Sequence, residues 1–128
     1  MWPPAPYALA AAAVALAVTA CQTWGPTWSE VTGVRYNRTI ADRWPARIVA
    51  VGSDSVFTMP YKVAPGTYTI AVESPRHSGF AGTIQEMKLN IEPCKRYYIN
   101  AQFQDPVRPE WSPVVDEAEP IAGCRITS

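Results

Sequence analysis

Residues 86–103, EMKLNIEPCKRYYINAQF, decide the fold. Apolar and polar side chains alternate along residues 87–91, and they alternate again along residues 97–103. Successive side chains of a β-strand point to opposite faces, so a period of two predicts two half-buried strands. Only a short turn fits between them, with Pro93 fixing φ, and we therefore expect residues 86–103 to form an antiparallel hairpin.

A second hairpin is predicted for residues 61–73. Pro65 suits the second position of a type II turn, and Gly66 suits the third position, where φ is positive. Upstream, the β-branched run RIVAV at residues 47–51 is typical of a central strand. The chain therefore carries several strand signals before its best-defined segment.

The segment that separates the two predicted hairpins, residues 74–83, is polar and contains glycine. We expect it to be a long hairpin loop that exposes His77 and Phe80. Loops on a rigid scaffold carry binding residues more often than the strands do. After it, residues 111–116 suggest a last strand, and Pro113 would confine that strand to a sheet edge.

Turn signals recur throughout the chain, and no segment after residue 28 has a convincing helical pattern. A chain of 128 residues supports one hydrophobic core rather than two. We therefore predict an all-β fold, a single small antiparallel β-sandwich of seven or eight strands spanning residues 30–128 and transthyretin-like or immunoglobulin-like in type.

The first 29 residues contain no Asp, Glu, Lys or Arg, and residues 7–20 are apolar apart from Thr19. This apolar run is too short to span a bilayer and has the length of the core of a secretory signal. An alternative is a buried alanine-rich helix that ends at a chance cysteine. The prolines near the start and the lack of a polar face argue against that helix.

Residues 18–21, Val-Thr-Ala-Cys, resemble the lipobox of bacterial lipoprotein signal peptides. The resemblance implies a signal peptide at residues 1–20, lipidation of Cys21 with two or three acyl chains, and a tether over residues 21–29. Gln22, by the same resemblance, implies sorting to the outer membrane. The expected location is thus the Gram-negative envelope, with the domain facing the periplasm and held to the membrane by its lipid.

Assigning Cys21 to lipid leaves Cys94 and Cys124 as a pair in a compartment that oxidises thiols. We expect them to form a disulfide. The alternative is a metal site or a nucleophilic thiol. Neither cysteine belongs to a CxxC motif, and the chain has a single histidine, His77.

Residues 63–70, VAPGTYTI, and residues 93–98, PCKRYY, resemble a pattern of small Gram-negative lipoproteins and periplasmic domains with a transthyretin-like or PEGA-like β-sandwich. Cys94 stands where glycine is usual in that pattern. The resemblance covers about residues 46–103 and implies a fold. It carries no functional residues.

Eleven basic and eleven acidic residues give a formal charge of zero, which argues against nucleic acid as a partner. No nucleophile with a base, no pair of tuned carboxylates and no set of metal ligands is visible, so we expect no cofactor and no metal. His77 is expected to be an ordinary surface residue.

Aromatic residues are the better guide to function, because large rings with polar tips dominate recognition sites. Phe80, Tyr98 and Trp111 are the candidate binding residues, and Trp44 is a further candidate. Core packing is the default for both Trp44 and Trp111. The sequence thus favours a non-enzymatic interaction or assembly module with an envelope protein as its partner. The alternative is a module that binds peptidoglycan or polysaccharide through exposed aromatic residues.

Overall fold

The computed structural model describes residues 25–126, and these residues form nine β-strands and no helix. The predicted signal peptide at residues 1–20 and the predicted lipid site at Cys21 lie outside the described residues. The strands are β1 (Ser29–Thr32), β2 (Arg43–Pro45), β3 (Arg47–Val51), β4 (Asp54–Ser55), β5 (Tyr61–Val63), β6 (Gly66–Glu73), β7 (Ile84–Ile91), β8 (Lys95–Phe103) and β9 (Trp111–Pro120).

The strands form two sheets. In the five-stranded sheet, β8 pairs with β9 on one side and with β1 and β2 on the other, and β5 follows β1. The four-stranded sheet has the order β4-β3-β6-β7. One cluster of buried residues draws on both sheets. This all-β arrangement confirms the predicted class and is consistent with a β-sandwich.

Two parts of the fold prediction are wrong. The structure is not purely antiparallel, because β1 runs parallel to β8, with Val31 opposite Tyr97. The number of strands exceeds the seven or eight expected, because β2 and β4 are very short. Strands of two or three residues pair too briefly to leave an alternating pattern in the sequence.

The predicted hairpin at residues 86–103 is also wrong, although both of its strands exist. β7 pairs with β6 in the four-stranded sheet, and β8 belongs to the five-stranded sheet. The turn between them carries the chain from one sheet to the other. Its last residue, Cys94, has a φ of 60°, in the left-handed region that favours glycine, and its N–H donates to the Trp28 carbonyl at 3.0 Å.

The predicted hairpin at residues 61–73 fails in the same way. β5 pairs with β1, whereas β6 pairs with β3 and β7. Gly66 has a φ of 152°, far from the roughly +80° of a type II turn. The hairpin that does form joins β6 to β7 through residues 74–83, which confirms the predicted hairpin loop.

The core lies between the sheets. Ile48, Ile70 and Val72 enter it from the four-stranded sheet, and Val31 and Ile99 enter it from the five-stranded sheet, each at most 1% exposed. Three expectations are confirmed. β3 is an inner strand, β9 is an edge strand, and alternate residues of β8 from Tyr97 to Phe103 face the core.

Both ends of the described chain lie at one end of the domain, beside the turn between β7 and β8. The sulfur atoms of Cys94 and Cys124 are 2.08 Å apart. The Arg125 N–H donates to the Pro26 carbonyl at 2.8 Å, and the Trp28 N–H lies 3.3 Å from the Cys124 sulfur. We call this the disulfide end. The segment expected to be a tether, residues 21–29, thus already packs onto the domain at its last residues.

The opposite end is formed by residues 74–83 and residues 104–110, which follow β6 and β8. We call it the loop end. A strand of eight residues separates the two ends by about 26 Å.

Candidate interaction surfaces

Tyr98 does not form an open surface. The alternation of β8 correctly places it on the face opposite Tyr97, but its exposed fraction is only 7%. The Arg35 guanidinium lies 3.8 Å from the centre of the Tyr98 ring, and the Tyr98 hydroxyl donates to Glu119. The expectation that Tyr98 contacts a ligand is wrong, because the segment between β1 and β2 covers this face.

Trp111 is buried as well, with 5% exposed. Its ring packs near Phe103, with centroids 6.4 Å apart, and its indole N–H donates to the Thr83 hydroxyl at 2.7 Å. A buried indole that is hydrogen-bonded in this way stabilises the core. The default of core packing is therefore confirmed for Trp111, and it is not a surface binding residue.

His77 contradicts the expectation of a surface histidine. Only 8% of it is exposed, its ring stacks on Phe103 with centroids 3.8 Å apart, and its Nε2 lies 2.9 Å from the Asp105 carbonyl oxygen. The backbones of His77 and Phe80 exchange two hydrogen bonds. His77 thus fastens the loop of residues 74–83 to the loop end.

Phe80 is the one predicted binding aromatic that reaches solvent, with 48% exposed. It stands on the loop that His77 holds. The structure does not bring Phe80, Tyr98 and Trp111 together into one surface, since two of the three are buried. A binding surface built from these three residues does not exist.

A stacked aromatic pair that reaches solvent occurs instead at Tyr36, which is partly buried, and Trp44, which is exposed. Their rings stack with centroids 6.1 Å apart and planes at 21°, and the Arg38 guanidinium lies 5.4 Å from the Tyr36 ring. Trp44 is 42% exposed, contrary to the expected core position. The sequence does not predict this pair, because Trp44 lies on the three-residue strand β2 and Tyr36 precedes that strand by several residues.

An open groove of about 430 Å³ lies at the loop end, where β3 begins and β6 ends. Its residues come from both sheets and from the connections between them. Most of the side chains are apolar, and the set is Val34, Pro45, Ala46, Arg47, Met59, Glu73, Ser74 and Pro75. We call this the end groove.

Close backbone packing shapes the end groove. A Cβ atom on Gly33 would lie 2.0 Å from the Ala46 carbonyl oxygen, and the Ala46 N–H donates to the Gly33 carbonyl at 3.0 Å. Only glycine permits this approach. The next residue, Val34, is turned outward and is 65% exposed, so the chain offers an apolar side chain beside the groove.

The polar part of the end groove is electrically balanced. The Arg47 Nε donates to a Glu73 carboxylate oxygen at 2.8 Å, and the Ser74 hydroxyl accepts the Thr83 N–H at 3.1 Å. Because the two charges offset each other, the groove has no strong preference for an ionic ligand. Its chemistry suits an apolar side chain.

A network of charged side chains covers the outer face of the five-stranded sheet. Arg96 lies 3.1 Å from Glu30 and 2.9 Å from Glu119. Burial acts to raise the pKa of Glu30, but hydrogen bonds from Trp28 and Arg96 outweigh it, and the net pKa is lowered. Hydrogen bonds from Tyr98 and Arg96 lower the pKa of Glu119. The network holds these carboxylates ionised and fixes the covering segment, which is a structural role.

Within residues 25–126, no group of three or more His, Cys, Asp or Glu side chains could hold a metal ion. The same residues contain no helix long and apolar enough to cross a membrane. No protein-family model, curated protein or solved structure matches the chain. Its function must therefore be inferred from the surfaces described above.

Proposed function

We propose that the chain is a non-enzymatic lipoprotein of the outer membrane that binds an envelope protein in its end groove. In this proposal Cys21 carries the lipid, and a transthyretin-like or PEGA-like β-sandwich faces the periplasm. The observation that carries the proposal is the position of the groove, which lies at the end opposite the N-terminal entry of the chain. A partner can reach it without meeting the attachment point.

The occupant we infer is an extended segment of the partner protein that inserts one apolar side chain. Specific small sites are concave and mostly apolar, with a few placed polar groups. The end groove has this character, since Ala46 and Met59 supply apolar walls and the Arg47–Glu73 ion pair supplies polar groups at hydrogen-bonding positions. An apolar anchor in such a site contributes most of the binding free energy of many interfaces.

The test is photo-crosslinking in intact cells. A photoreactive amino acid replaces Val34, which lines the groove and is 65% exposed, so we expect the change to perturb the fold little. The matched control carries the same amino acid at Phe57, which is 91% exposed and does not line the groove. We expect a covalent adduct with one envelope protein at position 34 and not at position 57.

A second variant separates binding from proximity. Met59→Glu places a charge in the apolar part of the groove, and we expect it to reduce the yield of the position 34 adduct at least about ten-fold. Adducts with lipid alone, or equal protein adducts at positions 34 and 57, would contradict the proposal.

The stacked pair of the partly buried Tyr36 and the exposed Trp44 supports a second candidate function, binding of envelope glycan. Flat aromatic rings beside a polar group suit the apolar faces and hydroxyls of a sugar. The residues that carry this candidate differ from Phe80, Tyr98 and Trp111.

Binding to isolated peptidoglycan tests it. We expect Trp44→Ala to abolish binding and Phe57→Ala, which removes an exposed ring elsewhere, to leave it unchanged. Binding that survives Trp44→Ala would exclude this mechanism.

A further inference from the structure

The edge of β7 is an unpaired surface of a kind that the fold otherwise avoids. β7 pairs with β6 over eight residues without a register shift, and among the described residues it pairs with no other strand. It contains no proline. A long, regular edge strand is a template for pairing with another strand.

The hydrogen bonds between β6 and β7 determine which N–H and C=O groups of β7 point to its open edge. The Ser74 N–H donates to the Thr83 carbonyl at 2.9 Å, directly across the hairpin. Hydrogen-bonded pairs recur at every second residue of an antiparallel ladder. Gln85, Met87 and Leu89 therefore bond to β6. The backbone N–H and C=O groups of the intervening residues point to the open edge. These residues are Ile84, Glu86, Lys88 and Asn90.

The other edges are protected. β9 carries Pro113 and Pro120 and has a register shift opposite Tyr98 and Ile99. Prolines and bulges prevent a further strand from pairing. β2, β4 and β5, which stand at the remaining edges, are only three, two and three residues long. The open edge of β7 is thus the one long edge without proline or bulge within residues 25–126.

We propose that β7 pairs with β7 of a second copy of this chain, antiparallel and about a two-fold axis through Met87. This surface is separate from the end groove, and the inference goes beyond the proposed function. In this register Glu86 of each copy lies opposite Lys88 of the other, and Ile84 lies opposite Asn90. The residues with outward backbone groups face one another, as hydrogen-bonded pairs require.

Charge selects this register. A two-fold axis through Glu86 would put two glutamates opposite each other, and an axis through Lys88 would put two lysines opposite each other. Like charges directly across a ladder destabilise it, and opposite charges stabilise it. A lone charge on an edge also opposes pairing with an unrelated strand. The sequence Glu86-Met87-Lys88 thus favours its own copy over other strands.

The inward side chains of β7 add apolar contact. Met87 and Leu89 are only partly buried against the core, because the edge leaves them open on one side. In the proposed dimer the two copies of Met87 lie opposite each other and cover this opening. C2 dimers with a self-complementary patch are the commonest oligomers of soluble proteins.

The test is the oligomeric state of the full chain in detergent, measured by sedimentation velocity over a range of concentrations. We expect dimers, and we expect Glu86→Lys and Lys88→Glu each to weaken self-association at least about ten-fold, since each puts two like-charge pairs in the ladder. Glu110→Lys makes the same change in an exposed loop and should leave the dimer intact.

A double variant and a mixture of the two single variants test whether the dimer has the register centred on Met87. The double variant E86K/K88E restores opposite charges and should dimerise again. A mixture of Glu86→Lys chains with Lys88→Glu chains should form heterodimers, because each lysine then faces a glutamate. A wild-type chain that stays monomeric at every concentration overturns the proposal. A dimer that tolerates both single variants does so too, and so does a mixture that forms no heterodimer.

Discussion

Asp116 illustrates how a single residue connects distant parts of the domain. It is the extra residue at the register shift of β9, between Val115 and Glu117, and its carboxylate accepts a hydrogen bond from Arg43 at 2.6 Å. The side chains of Arg43 and Asp116 are 12% and 9% exposed. Removing one partner of such a pair leaves a charge poorly solvated.

We expect Asp116→Asn to lower the free energy of unfolding by about 3 kcal/mol or more. Glu117→Gln is the matched control, because Glu117 pairs with Arg35 where both side chains are about half exposed. That change should cost no more than about 1 kcal/mol. Urea denaturation measures both values, and equal losses in the two variants would contradict the assignment of a buried pair.

The charged network on the five-stranded sheet predicts a pH dependence. The pKa values of Glu30 and Glu119 are lowered in the folded protein, so the folded state binds protons less readily than the unfolded state. Their contribution to stability is therefore present above the ordinary glutamate pKa and is lost as the pH falls through the lowered values. We expect the free energy of unfolding to fall with pH below about 4.5.

Glu30→Gln should make that decline less steep, as measured by urea denaturation at a series of pH values. Glu110→Gln removes the same charge at an exposed site outside the network and serves as the control. An unchanged slope in Glu30→Gln would show that the network does not contribute to acid sensitivity.

For individual residues, the sequence predicted which face of the sheet a side chain points to better than whether that side chain is exposed to solvent. Alternation placed Tyr98 on the face opposite Tyr97 correctly. It could not show that this face is covered, because the covering segment, residues 33–42, has no periodic pattern and contacts β8 from far away in the chain. His77 was misjudged for the same reason, since Phe103, on which it stacks, belongs to another strand.

For the secondary-structure elements, the sequence predicted where strands lie but not which strands pair with each other. The alternation of residues 87–91 and 97–103 identified β7 and β8, but a short turn can either fold a strand back beside its neighbour or carry it to the opposite sheet. Cys94 held a usable signal, because it stands where the similar pattern has glycine and has the positive φ that glycine favours. The parallel pairing of β1 with β8 depends on residues more than sixty positions apart and left no local trace.

The covalent link between Cys94 and Cys124 joins the turn after β7 to the segment after β9. In the chain-entropy account, closing a loop of this size stabilises a protein by about 3 to 4 kcal/mol. We expect the double variant C94S/C124S, which leaves neither cysteine unpaired, to lose about this much, as measured by urea denaturation. A loss below about 1 kcal/mol would show that the link is incidental to stability.

At the scale of the whole molecule, location is the property that the sequence indicated most directly. We expect the mature product to begin at an acylated Cys21, and mass spectrometry of the native protein measures this. Cys21→Ser should shift the protein out of the membrane fraction. An uncleaved, unacylated chain whose thiols all react with an alkylating reagent would contradict the assignment of the protein to the envelope.

If Cys21 carries the proposed lipid, the hydrogen bond between Pro26 and Arg125 at the disulfide end would limit how far the domain stands from the membrane. Four residues lie between Cys21 and Pro26 in the sequence, and four residues span at most about 14 Å. In an antiparallel β7 dimer the two disulfide ends are at opposite extremes, so both anchors can be inserted in one leaflet only if the dimer lies flat along it. The two grooves would then open in opposite directions parallel to the bilayer, and each dimer would hold two partner molecules, one at each of its ends.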